Sequence, residues 1–232
     1  MSNTLSTFEP LSEFLNYLAT RRCDYDRIPT LSELSRELGI SVSRLREQLE
    51  VARSLGIVEV KPKTGIRRMP YKFLPTLLQS LGYAITVDEH AFDDFSDLRN
   101  KIESAYWYQA VGLLTSDDRL NLLNCIERAD AKIQRQPPQI PHSEHRELHL
   151  LIYSRLGNPF VIGILESYWD LYESIGLNII MDVAYLEIVW QYHRKMVEAI
   201  QIGDFDRGFD IMQEHLKLIN QRSKPVGRQR FE

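Results

Sequence analysis

The chain has 232 residues, 44% of them hydrophobic and 26% charged, and a formal net charge of −4. That length fits one large domain or two small ones, and the composition is that of a soluble globular protein. No apolar run reaches the ~18–20 residues needed to cross a bilayer, and the opening "MSNTLSTFEPLSEF" has no basic region ahead of an apolar core, so neither a membrane span nor a secretory leader is expected. Cys23 and Cys125 belong to no paired-thiol motif, which points to a reducing, cytoplasmic setting. The charge is uneven: residues 1–72 carry 12 Lys+Arg and 9 Asp+Glu, a net of +3, and the remainder carries 16 and 23, a net of −7. A mildly basic front on an acidic body suits a small nucleic-acid-binding head joined to a domain of another kind.

In chain order, "LSEFLNYLATRR" has apolar residues at helical spacing, with Ser12 as a candidate cap. "TLSELSRELG" predicts a second helix: Thr30 caps it, Glu33 completes a capping box and Gly39 stops it. "ISVSRLREQLEVARSLG" predicts a third, capped by Ser41 or Ser43 and stopped by Gly56. "IVEVKPKTGIRRM" alternates apolar and polar residues about a Pro-Lys-Thr-Gly turn, a β-hairpin pattern. Three helices followed by a hairpin is the winged helix-turn-helix order, and it sets a first domain at 1–72.

Residues 73–92 read as a linker or connecting helix. An all-helical domain is then expected over 93–222, with a loose polar tail at 223–232. Its helical candidates are "DFSDLRNKIESAYWYQAVGLL", "DDRLNLLNCIERADAKI", "SEHRELHLLIYSRLG", "PFVIGILESYWDLYESIG", "MDVAYLEIVWQYHRKMVEAIQIG" and "DRGFDIMQEHLKLINQR". The fold class expected is therefore mainly α: a winged helix-turn-helix head and a helical bundle.

In a helix-turn-helix, the N-terminal end of the second helix of the pair faces the bases of the major groove. Here that end is "SVSRLRE", where Ser41, Ser43, Arg44 and Arg46 suit phosphate oxygens and guanine edges. Lys61, Lys63, Thr64, Gly65, Arg67 and Arg68 form the wing, whose basic tip can reach backbone phosphate or the minor groove. A solvated charged helix and an ordinary polar hairpin would show many of the same residues; the ordered set is what favours double-stranded DNA as partner.

"LSELSRELGISVSRLREQLEVARSLGIVEVKPKTGI" resembles the DNA-binding domain of GntR-family transcription regulators. "REQL" (Arg46 to Leu49) stands at that family's Arg-Glu-Ala-Leu, and "GIVEVKPKTG" at its Gly-Leu-Val wing. Val42 stands where the family usually has arginine after Gly-Val-Ser, and Ser32 where a basic residue is common, which bears on the operator sequence more than on DNA binding. The back resembles the FCD domain of the FadR subfamily. "DDFSDLRNKIESA" is similar to its opening helix, with Arg99 and Glu103 at its Arg-x-x-x-Glu. "HRELHLLIYSRLGNP" and "HRKMVEAIQIGDFDRGFDIMQEHL" are similar to its histidine-bearing elements.

The resemblance implies a homodimeric regulator that binds a DNA operator and responds to a small anionic metabolite. It also implies a divalent metal held by an Asp and three His. By position the His ligands are His149, His193 and His215, and the Asp position is His145 in this chain. Spacing agrees with this assignment. His145 and His149 are four apart, so they share a helix face. Glu144 and Glu147 lie about 140° and 160° round the same helix from His149 and do not share it. With Asp204 as the turn, His193 is 11 residues before and His215 is 11 after, so the two sit level on antiparallel helices, roughly 16 Å from the bend. An all-imidazole set favours Zn²⁺ or Ni²⁺ over oxygen-loving ions. Each histidine taken singly reads equally well as a core or surface residue, and His90 and His142 have no place in the pattern.

Arg99 is a candidate for an anionic effector, or else a salt-bridge partner of Glu103 at i,i+4. Asn158 of "GNP" is a helix cap that in the family lies near the site. Tyr106, Trp107 and Tyr108 either line a pocket or are core. No catalytic residue is expected. Two rival readings remain open from sequence: a metal-free regulator responding to an acyl-CoA or fatty acid, and a metal-dependent helical-bundle enzyme.

Overall fold

Ser12, Thr30 and Ser41 each head a helix, and their hydroxyls set where the first three helices begin. The computed structural model describes residues 11–21, 28–62, 65–88, 90–175 and 183–221. It divides into two units, Met1–Ser80 and Leu81–Glu232.

In the first unit the order is α1 (Glu13–Thr20), α2 (Leu31–Leu38), α3 (Val42–Ser54), β1 (Val58–Lys61) and β2 (Gly65–Arg68). The Thr30 hydroxyl accepts from the Glu33 amide at 3.3 Å, and the Glu33 carboxylate accepts from the Thr30 amide at 2.8 Å. Of the two serines that could cap α3 it is Ser41, whose hydroxyl accepts from the Arg44 amide at 3.2 Å. Each such cap is worth about 1 kcal/mol. α3 stops at Gly56, where φ is +69°, and a Cβ there would come within 2.7 Å of the Pro75 ring, so glycine is needed on two counts. The strands pair antiparallel, from Val58 opposite Arg68 to Lys61 opposite Gly65. Phe14, Leu34, Leu45, Ala52, Val58 and Ile66 are buried and form this unit's own core. The Ile28 amide donates to the Ile66 carbonyl at 3.2 Å and fixes the hairpin to the helices. This is the expected winged helix-turn-helix. Lys63 and Thr64 of the wing tip, Cys23, and the tail at 223–232 lie outside the described residues.

α4 (Leu74–Val87) crosses the boundary between the units. The expected linker or connecting helix at 73–92 is thus helical over most of its length. Leu74, Leu77, Leu78 and Leu81 recur at helical spacing, and Pro75 falls in the first turn, where its missing N–H costs nothing.

The second unit continues with α5 (Ala91–Gly112), α6 (Ser116–Ile133), α7 (His142–Tyr153), a 3-10 turn (Ser154–Leu156), α8 (Pro159–Ser174), α9 (Val183–Ile202) and α10 (Phe205–Gln221). Trp107, Leu122, Leu148, Ile152, Leu165, Trp190, Met196, Ile200 and Met212 form one core shared by these helices. Of the aromatic triplet, Trp107 is core, Tyr106 packs on its edge, and the exposed Tyr108 donates to Asp206 at 2.8 Å. Gly203 closes α9 with φ +77°, and the Asp204 carboxylate accepts from the Arg207 amide at 3.2 Å to open α10. α9 and α10 are thereby folded back on each other with Asp204 at the bend. Among the described residues no helix is long and apolar enough to cross a membrane.

The α5–α10 contact depends on a missing side chain. A Cβ on Gly208 would lie 2.8 Å from Cζ2 of Trp107, whose indole is buried and donates to the Phe205 carbonyl at 3.0 Å. Helix propensity favours Gly208→Ala by ~0.5–1 kcal/mol, but overpacking against a fixed ring costs ~1–3 kcal/mol. A net loss of about 1 kcal/mol is expected on chemical denaturation. A more stable variant would show that the indole yields.

Candidate metal centre

Three helices deliver one group of four imidazoles. His145 and His149 stand one turn apart on α7, His193 on α9 and His215 on α10, while α5 and α8 close the sides with Arg99, Glu103, Tyr168 and Trp169. One ligand nitrogen from each of His145, His149, His193 and His215 lies within 4.8 Å of every other. The His193 and His215 Nε2 atoms are 3.2 Å apart, as their equal distance from Asp204 predicts. Nitrogens bound to one ion at ~2.0–2.1 Å can be at most ~4.2 Å apart. The closest pair already meets that limit, and the group as a whole needs only small ring rotations.

Three of the four are removed from water: His149 is 2% exposed, His193 0% and His215 7%, with His145 half-buried at the edge. Burial first, and then the repulsion that a charged His145 would meet if His149 or His215 were also protonated, hold His145 well below the ordinary imidazole pKa. Burial followed by His215 and His145 does the same for His193, and burial followed by His149 and Arg99 for His215. His149 is also lowered, chiefly by burial, although the Glu103 carboxylate pulls the other way. All four rings are therefore neutral at pH 7, the form in which imidazole binds a metal.

The hydrogen-bond pattern points the same way. Buried side-chain atoms without a partner among the described residues are Arg99 Nε, Glu103 Oε2, His149 Nε2, Trp169 Nε1, His193 Nδ1 and His215 Nδ1. Every one belongs to a residue of this cluster. Each unmet buried polar atom costs ~1–3 kcal/mol, so a purely structural core would not concentrate them in one place. A soft-to-borderline divalent ion fits the donor set: four neutral nitrogens and no carboxylate among the ligands.

Arg99 and Glu103 pair at 2.9 Å, both almost wholly buried, with the Arg99 guanidinium 4.6 Å above the Tyr168 ring. Burial raises the Glu103 pKa, but Arg99 and His149 more than offset it and hold the carboxyl below its usual range. Of the two readings of Arg99 the structure describes the salt bridge with Glu103, and it also places the guanidinium 2.9 Å from His149 Nδ1. Asn158 serves as a cap, its carboxamide oxygen accepting from the Phe160 and Val161 amides at 3.0 and 3.3 Å. His142 lies outside the group, stacked on Tyr172 and paired with Glu173 at 2.6 Å. His90 sits near Asp93 at 3.8 Å, away from the cluster. Sequence reasoning missed Trp169, whose ring is 4.6 Å from His145 and 5.4 Å from His149. It also missed the contact of Glu103 with His149. Neither residue carries a local signal of that role.

On the first unit, Ser41, Ser43, Arg44, Arg46 and Arg67 are exposed. Arg44 is paired with Glu13 at 2.7 Å and Lys61 with Glu59 at 2.9 Å, whereas Arg46 and Arg67 make no salt bridge among the described residues. Gly65 opens β2 opposite Lys61.

Residues 94–218, which contain all four histidines, match the FCD domain. The chain belongs to the FCD family. Among curated proteins, an uncharacterized HTH-type transcriptional regulator YieP from Escherichia coli is 23% identical over 193 residues, covering 82% of this chain and 83% of its own length. Among solved structures, Streptococcus agalactiae GntR superposes with a TM-score of 0.64 at 17% identity, covering 90% of this chain and 96% of that one. Escherichia coli McbR/YncC is similar at a TM-score of 0.46 and 21% identity, over 82% of this chain and 86% of that one. The likenesses of this FCD protein are to regulators, not to enzymes.

Proposed function

We propose that this FCD protein is a transcription regulator of the FadR subfamily that acts in the cytoplasm as a two-fold dimer. Its winged helix-turn-helix binds an operator, and its helical domain holds a Zn²⁺ or Ni²⁺ ion on His145, His149, His193 and His215. The observation that carries this reading is the convergence of four neutral imidazoles, three of them buried, in a chain that begins with a winged helix-turn-helix. The ion would supply a positive charge inside an apolar bundle and a place for the carboxylate of a small anionic effector. Arg99, its charge paired with Glu103, still has an Nε without a partner among the described residues, a donor for the same carboxylate. The effector regulates by linkage: if it binds one arrangement of the dimer better than the other, it shifts operator affinity by that difference. Repression is the simpler mode, since a bound dimer occludes its site.

The head is tested by titrating labelled DNA from the chain's own promoter region. Arg46, exposed and without an ion pair among the described residues, is expected to lose ~1–3 kcal/mol of binding on Arg46→Ala if it reads a base edge. Arg44→Ala should cost less, because Arg44 must first leave Glu13. Two chains per site are expected, as one short recognition helix reads too few base pairs. Unchanged affinity in the Arg44→Ala/Arg46→Ala double variant would sink the assignment of α3 as the reading helix.

A further inference from the structure

His149 is the cluster histidine whose second nitrogen is engaged. Its Nδ1 lies 3.2 Å from Glu103 Oε1 and 2.9 Å from Arg99 Nη2, while its Nε2 is buried without a partner. Those two neighbours ask for opposite tautomers. A guanidinium only donates, so a bond from Arg99 needs a bare Nδ1 and leaves the proton on Nε2. A carboxylate only accepts, so a bond to Glu103 needs the proton on Nδ1 and leaves the Nε2 lone pair free.

We infer that Glu103 is a positioning residue of the metal centre: its carboxylate accepts a hydrogen bond from the Nδ1–H of His149, which keeps the proton on Nδ1 and so presents Nε2 to the ion. The inference rests on the metal reading above. The ligand nitrogens converge within 4.8 Å, and His149 can join them through Nε2 only in the tautomer that Glu103 selects. Arg99 does not hold Nδ1 in that state. Its charge is already met by Glu103 at 2.9 Å and by the Tyr168 face at 4.6 Å. The neighbouring rings lack such a guide, since the Nδ1 atoms of His193 and His215 have no partner. His149 is therefore the fixed ligand around which the others adjust. Carboxylates placed behind metal-bound imidazoles hold ring orientation and raise ligand basicity.

The test uses the full chain labelled with ¹⁵N-histidine, and its readout is the imidazole nitrogen spectrum with and without one equivalent of Zn²⁺. The His149 ring, assigned by its loss in His149→Gln, is expected to carry its proton on Nδ1 and to shift at Nε2 when zinc is added. Glu103→Gln, whose carboxamide can accept or donate, should weaken Zn²⁺ and Co²⁺ binding ~10–100-fold in chelator competition. The Arg99→Gln/Glu103→Gln variant, which leaves no unpaired buried charge, should show the same loss. Zinc bound through His149 Nδ1 in the unaltered protein would overturn the inference even if both variants fail to fold. Unchanged affinity in folded Glu103→Gln would overturn it too. In either case the metal reading would stand. A parent chain that takes up no Zn²⁺ or Co²⁺ would overturn both.

Discussion

Protein purified without a His-tag and incubated with Zn²⁺ or Ni²⁺ is expected to hold one ion per chain, and His149→Ala/His193→Ala to hold none. The His193 and His215 Nε2 atoms already stand at 3.2 Å, and the buried, unpartnered Nε2 of His149 gains from an ion whose site only the folded state can assemble. A ligand that binds the folded state alone stabilises it by RT ln(1 + [L]/Kd), ~4 kcal/mol at a thousandfold excess over Kd. On a domain of this size that raises the melting temperature by roughly 8–16 °C. The rise should vanish with chelator and be absent in the variant. Elemental analysis showing no stoichiometric metal in the parent, with a melting point indifferent to both ions, would make these histidines ordinary core residues.

The metal-free protein should lose stability as pH falls below 6.5. In the unfolded chain each imidazole takes a proton at about its ordinary value, whereas in the folded chain burial and neighbouring positive groups lower all four. The unfolded state therefore binds more protons below that pH, and stability drops with further acid until the folded values are reached. The loss steepens with each imidazole that the folded state keeps neutral in that window, at up to ~1.4 kcal/mol per pH unit for a single group. The melting temperature of chelator-treated protein should fall steeply from pH 6.5 to pH 5. A flat profile there would mean the rings are wetter than the structure has them. An unperturbed imidazole would predict metal loss below about pH 6. Burial alters that expectation: the folded site resists protonation further into acid, and protons compete mainly by unfolding the bundle.

How much of this was legible in the sequence depends on whether the signal was local. Thr30 with Glu33, Ser41, Gly39 and Gly56 marked the ends of α2 and α3 because caps and left-handed stops are decided within four residues. The His193–His215 pairing was legible because a hairpin turns sequence distance from its bend into height. α4 was less clear: "LPTLLQSLGYAITV" has no charged residue to contrast with its apolar ones, and connection and helix look alike. The Arg99–Glu103 bridge could be read from i,i+4 spacing, but its third member, His149, is 46 residues beyond Glu103 on another helix. Which face of α5 meets which face of α7 depends on packing angles that no local pattern encodes. Trp169 shows the same limit, since buried tryptophans occur at several places in this core.

The Arg44–Glu13 pair gives the head an unusual ionic balance. A cation that neutralises a phosphate frees the counterions condensed there, and that release makes protein–DNA affinity fall with salt. If Arg44 turned to a phosphate, Glu13 would keep the Gln48 amide at 2.6 Å but lose its counter-charge, and the carboxylate would draw a cation back from solution. Release on one side is offset by uptake on the other. Arg44 can then add directional contacts to the complex while adding little to its salt dependence. On the proposed operator-binding reading, the electrostatic, sequence-blind part of binding would fall instead to residues such as Arg46 and Arg67. A head built this way would hold loosely to bulk DNA and commit Arg44 only where the match outweighs Glu13.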